Sequence, residues 1–185
     1  AAWLLVLQRY TGKASVAFGA TVAGRPADLP GIEQQIGLFI NTLPVIASPR
    51  PEQSLGSWLQ AVQAQNLALR EFEHTALFDI QRWAGQGGEA LFDNILVFEN
   101  YPIAQALEQG APQGLRFGPV ANHEQTNYPL TLGVSLEGTL EVHYSFDREH
   151  FADATVEQLG AQLNHVLMQM AAGSDQRCLG DLQLL

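Results

Sequence analysis

Two alternating apolar runs that meet at a glycine constrain the fold of this chain most. Leu130, Leu132, Val134 and Leu136 alternate with small or polar residues, Glu137-Gly138 interrupts them, and Leu140, Val142, Tyr144 and Phe146 resume the alternation. A period of two places one set of side chains on each face of a strand, and glycine supplies the tight reversal. Residues 130–146 are therefore predicted to form an antiparallel hairpin with one buried and one wet face. A lone hairpin is marginal in water and needs a packed partner.

Helical segments on both sides can supply that partner. Leu4, Leu7 and their apolar neighbours form a helix face that stops at Tyr10-Thr11-Gly12. Ser54 is placed to cap a helix carrying Leu55, Trp58, Leu59, Val62 and Leu69 and running to about Phe72. A shorter helix is expected over Thr75 to Trp83, ending at the turn Gly85-Gln86-Gly87-Gly88. The last helix opens at Asp153 or Thr155, presents Val156, Leu159, Leu163, Val166, Leu167 and Met170, and ends at Gly173. Ser15 to Val22 alternate as a strand. Ile95 to Phe98, a continuous apolar run, reads as a strand buried on both faces. Strands separated by helices, together with the hairpin, predict an α/β chain with a mixed sheet flanked by helices.

One stretch resists this reading. From Ala23 to Arg50 lie Pro26, Pro30, Pro44 and Pro49 with Gly24, Gly31 and Gly37, which excludes a regular helix over most of it. Its centre, Ile36 to Ile40, is apolar enough to be buried. A long irregular yet apolar loop is expected to be functional.

Composition narrows the function classes. The 185 residues carry nine Lys plus Arg against 19 Asp plus Glu, a formal charge of −10, with 46% apolar residues. Such a chain buries a core and is one domain or one lobe of a larger one. It lacks the basic stripe that nucleic acid or an anionic membrane surface attracts, and no apolar run nears the ~20 residues of a membrane span. A single cysteine, Cys178, excludes an internal disulfide and fits a reducing, cytoplasmic setting. The first residues, Ala1-Ala2-Trp3-Leu4, resemble neither a signal peptide nor a natural start, so a piece of a longer polypeptide is expected.

No complete catalytic constellation is visible. The five histidines, His74, His123, His143, His150 and His165, lie at no metal-ligand spacing. His143 with Glu141 and Asp147 offers a His–carboxylate pair for general-base work, and equally fits a solvated strand face. His74 beside Glu71 and Glu73 fits a helix-end contact. Nothing local lowers the pKa of Cys178, and the 85–88 glycines lack the Lys-Ser/Thr of a phosphate loop.

Several blocks taken together resemble the condensation domains of nonribosomal peptide synthetases. Ile36-Gly37-Leu38-Phe39-Ile40-Asn41-Thr42-Leu43-Pro44 matches that family's IGxFxNTLP block nearly letter for letter. Tyr10-Thr11-Gly12, Val16-Ala17-Phe18-Gly19 and Val22-Ala23-Gly24-Arg25-Pro26 precede it like the family's strand and AGR segment. Glu73-His74-Thr75-Ala76-Leu77-Phe78 resembles the HQDxPFE block with substitutions, and Leu91 to Asn100 resembles PLFxxxFxxxN. The catalytic HHxxxDG is absent, since no two histidines are adjacent.

The resemblance implies a two-lobed fold like chloramphenicol acetyltransferase, with a tunnel between the lobes. Residues 1–185 would be the C-terminal lobe and 174–185 the start of an exit linker, while the N-terminal condensation lobe carries the catalytic histidine. The implied reaction is amide formation between a donor acyl and an acceptor aminoacyl thioester. Donor and acceptor peptidyl carrier domains would present these on phosphopantetheine arms, with an adenylation domain as neighbour and no cofactor bound directly. Arg25 would pair with the signature Asp. Asn41 would align a carbonyl or a backbone strand, or cap its own loop. Ile36, Phe39, Ile40 and Leu43 would wall the tunnel, and the stretch from about Tyr101 to Tyr128 would cross to the other lobe. An epimerisation lobe, a dual epimerising-condensing lobe and a non-catalytic carrier-binding module stay open as alternatives.

Overall fold

A computed structural model describes residues 1–23, 25, 29–99 and 126–185. Its centre is one five-stranded mixed sheet: β1 (Val16–Ala23), β2 (Ile40–Ala47), β3 (Asn94–Glu99), β4 (Leu130–Glu137) and β5 (Thr139–Phe146), in the order β2-β1-β3-β4-β5. β1 pairs antiparallel with β2, β3 lies parallel to both β1 and β4, and β4 returns antiparallel into β5. The hairpin forms as its alternation requires: Leu136 faces Leu140 and Glu137 faces Thr139, with Gly138 at φ 85° making the reversal.

Among the described residues the α-helices are α1 (Ala2–Thr11), α2 (Leu55–Leu69), α3 (Leu77–Trp83) and α4 (Asp153–Ala172). Glycine ends α1 for a conformational reason. Gly12 sits at φ 63° and its N–H reaches back 2.8 Å to the Gln8 carbonyl. Ser54 caps α2, its side chain accepting the Ser57 N–H. The core joins α1, α2 and α4 to one sheet face: Leu4, Leu5 and Val6 meet Phe18, Val45, Leu132, Trp58, Leu163 and Val166. Each fully buried Leu or Val contributes roughly 1.5–3 kcal/mol relative to exposure.

The segment after α4, expected to begin a linker, is docked into this core. Leu179 and Leu182 are fully buried. The Arg9 Nη2 donates to the Leu179 carbonyl at 2.9 Å, and the Gln169 amide donates to the Gln183 carbonyl at 2.7 Å.

Two expectations need correction. The stretch from Ala23 to Arg50 is not irregular throughout, because Ile40–Ala47 is a regular strand. Pro44 is tolerated there because β2 is an edge strand, where a missing N–H need not break a ladder. Nor is the centre of that stretch buried: Ile36 and Leu38 are exposed along their whole side chains and Ile40 is more than half exposed. The second correction concerns β3, which is covered on both faces only at its beginning. Asn94 and Ile95 are buried, Leu96 and Val97 half-buried, and Phe98 exposed. Among the described residues the core helices pack on one face of the sheet, so centrality in the sheet does not guarantee burial. The crossover expected near 101–128 lies almost wholly outside the described residues.

Candidate functional site

The best-defined arrangement links β2 to the turn before α3. Asn41 stands near the start of β2, opposite Val22. Its Nδ2 donates to the Glu73 carbonyl at 2.9 Å and to the Thr75 carbonyl at 2.7 Å, while its Oδ1 accepts the Thr42 N–H at 2.9 Å. One amide thus spends both donors and its acceptor on backbone. It grips the chain on each side of His74 and leaves that side chain exposed. The Asn41 side chain thus ties the 73–75 segment to β2 and also bonds the backbone of its own strand.

Arg25 and Phe39 form a second contact. The guanidinium lies 4.2 Å from the Phe39 ring centroid, and its Nη1 donates to the Ile32 and Gln35 carbonyls at 2.7 and 3.2 Å. A planar cation stacked on a ring while its edge donates suits Arg and not Lys. The side chain is exposed and meets no carboxylate among the described residues. Of the expected wall residues, Leu43 is buried and Phe39 lies under Arg25. Ile36 and Ile40 are open, together with Leu38, Phe72, Phe78 and Trp83. These open apolar side chains belong to β2, α3 and the turns before them, elements that are in mutual contact.

The sheet face turned away from the helices is lined with small and polar groups. Thr21 and Thr42 face each other across β1 and β2, and Ser135 and Glu141 across β4 and β5. A Cβ at Gly133 would stand 3.1 Å from the Glu99 Oε1, so this carboxylate lies across β4. One end is closed by Phe92 stacked on Tyr128 at 5.5 Å between centroids. There Gly19 is obligatory, because a Cβ would come within 2.3 Å of the Phe92 ring. Burial raises the Tyr128 hydroxyl above its ordinary pKa.

Among the described residues His74, His143 and His150 are exposed. His143 Nε2 lies 3.6 Å from Glu141 Oε2 with both side chains mostly exposed, so the solvated strand face describes it. Asp147 turns instead to His150, at 2.9 Å from Nδ1, and accepts the Glu149 N–H at 2.9 Å. These contacts hold its carboxyl below the usual range, the backbone bond contributing most. His123 lies outside the described residues. Among the described residues no group of three His, Cys, Asp or Glu is arranged for a metal ion, and no helix is long and apolar enough to cross a membrane. The Cys178 thiol is 3.8 Å from the Glu52 carbonyl. One buried polar link escaped the sequence reading: Trp3 Nε1 donates to Asn94 Oδ1 at 2.8 Å, and Asn94 in turn donates to Asp93.

Blocks that agree in order and are tied together at β2 define a family, and a family model confirms it: the condensation-domain model matches residues 1–185. The chain belongs to the condensation-domain family. It is 43% identical over 185 residues to one subunit of the linear gramicidin synthase of Brevibacillus parabrevis, covering all of this chain and 4% of that protein. It is 43% identical over 178 residues to the chondramide synthase of Chondromyces crocatus, covering 96% of this chain and 4% of that one. The chain therefore spans a small part of these curated relatives. In fold it is similar to the starter condensation domain of rhizomide synthetase solved with C8-CoA, at a TM-score of 0.75 and 23% identity, over 100% of this chain and 42% of that one.

Proposed function

We propose that this chain is the C-terminal lobe of an amide-forming condensation domain, walling the channel in which two carrier-tethered thioesters meet. The observation that carries the reading is the Asn41 clamp. It ties the 73–75 turn to the start of β2, and the apolar run Ile36, Leu38 and Ile40 that leads into this strand is exposed. A rigid apolar wall without a cover is what one lobe contributes to a channel between two. In this reading donor and acceptor carrier domains bring acyl and aminoacyl groups on phosphopantetheine arms, and an adenylation domain is a neighbour in the same polypeptide.

The chemistry needs a base near the attacking amine. This chain has no two adjacent histidines; the His143–Glu141 pair lies on the exposed face of β5 and the His150–Asp147 pair in the exposed turn after it. The proton-handling imidazole is accordingly assigned to the companion lobe. Arg25 is assigned to the lobe boundary, where its second face can meet the signature carboxylate. The role of this chain is to position and to exclude water, which well-oriented bimolecular reactions reward strongly.

Amide formation from carrier-bound aminoacyl thioesters tests the proposal. In the complete domain, Ile36→Asp with Ile40→Asp is expected to abolish turnover while leaving the melting temperature close to the parent value, since both positions are exposed. Unchanged turnover would remove the wall from the channel. Amide formation by these 185 residues alone would overturn the division of labour.

A further inference from the structure

A second surface lies at the opposite end of α1 from its buried start. A groove of about 570 Å³ runs between the end of α1, the segment after β2 and the docked tail, lined by Arg9, Lys13, Arg50, Pro51, Leu179 and Leu182 among others. In a chain with 19 acidic and nine basic residues, three of the nine line this one groove, including the single lysine. None of its lining residues is acidic, although Glu52 and Asp181 are close in sequence. Chance placement on so acidic a surface would give the reverse balance.

We propose that this groove docks an acidic polypeptide segment. Arg9 alone has another duty: it lies in the last turn of α1, where a cation offsets the helix dipole. Its hydrogen-bond partner there, the Leu179 carbonyl at 2.9 Å, is neutral and leaves the charge uncompensated. Partial burial also lowers its pKa, a sign that the charge is poorly hydrated. Arg50 enters from the segment after β2 and serves no helix end. Among the described residues neither Lys13 nor Arg50 meets a carboxylate.

The shape favours a peptide over a phosphate group. Phosphate sites converge several free backbone N–H groups on one point. Here the Gly12, Gly180 and Leu182 N–H groups are already spent on the Gln8, Pro51 and Leu179 carbonyls at 2.8, 2.9 and 3.2 Å. What remains is an open groove bordered by Pro51, with cations contributed by two separate segments, the end of α1 and the stretch after β2. That pattern matches a chain with carboxylates spaced along it. Attraction of this exposed kind is screened by salt.

Fluorescein-labelled hexaglutamate, with hexaserine as control, tests the proposal by anisotropy on the full chain. The expected result is binding of hexaglutamate alone at low ionic strength, weakening as salt is added. The double variant Lys13→Glu with Arg50→Glu should bind about tenfold more weakly, the scale of several lost surface pairs, with unchanged circular dichroism. Carbodiimide coupling provides a readout that needs no variant, because Lys13 is the only lysine: the peptide should be recovered on Lys13. Absence of binding, equal affinity of the folded double variant, coupling elsewhere, or displacement by pyrophosphate at lower concentration than by free hexaglutamate would each overturn the assignment.

Discussion

The side chain of Asn41 and the backbone of Thr75, 34 positions apart, are joined by a 2.7 Å hydrogen bond, and the same Nδ2 reaches the Glu73 carbonyl at 2.9 Å. His74 is thereby held between two fixed points on a segment where no residue of α3 is itself buried. Packing does little to hold this turn, so the amide is the principal restraint visible. Asn41→Ala should cost about 1–3 kcal/mol, since it orphans partly buried groups. Asn41→Asp should cost more, because it sets carboxylate oxygen against two carbonyls. Thermal unfolding and hydrogen exchange at Thr42 check this; equal stability of Asn41→Asp and the parent would refute it.

Gly19 is a matter of space. A Cβ there meets Phe92 Cε2 at 2.3 Å and Thr42 Cγ2 at 2.7 Å, both closer than real contacts allow. Gly19→Ala is expected to cost about 1–3 kcal/mol through overpacking. Adding Phe92→Leu should return part of the loss, so the two changes are non-additive. A double-mutant cycle in urea measures this, and strict additivity would show that the ring does not set the constraint.

Trp3 and Asn94 are 91 positions apart and form a buried hydrogen bond of 2.8 Å. Trp3→Phe leaves the Asn94 oxygen buried without that donor, an expected loss of about 1–3 kcal/mol beyond any packing change. Combining it with Asn94→Leu should cost less than the two single changes summed. The melting temperatures of the four proteins decide the matter.

Acid stability should carry a signature of Asp147. Its carboxyl is lowered from the ordinary 3.8, first by the Glu149 N–H and then by His150. A depressed carboxylate favours the folded state above the unfolded value, and that advantage fades as pH falls through the folded one. Asp147→Asn should therefore lower the melting temperature slightly at neutral pH and flatten the acid limb, the two proteins converging at low pH. An acid limb of unchanged slope would assign it to other carboxylates.

Much of the architecture was legible from local pattern. The 130–146 alternation, Gly12 and Ser54 each specify a structure within a few residues of themselves, and each forms as expected. β2 was hidden because Pro44 and Gly37 read as breakers, and only the strand order makes Pro44 harmless on an edge. The exposure of Phe98 was hidden for a related reason: an apolar run reports the need for a cover without saying from where. The NTLP block pointed to Asn41, but its partners at 73–75 are set by tertiary contact. Trp3 with Asn94 left no local trace, and the cationic groove draws its charges from segments far apart in sequence.

The docked tail bears on how such units can be recombined. Leu179 and Leu182 are interior staves of the fold, held by Arg9 and Gln169 from two different helices. A splice made just after α4, at Gly173, would strip both from the interior, and replacing even one with a smaller side chain costs about 2–5 kcal/mol. Chimeras that carry this unit should keep it through Gln183 and place the junction beyond that residue.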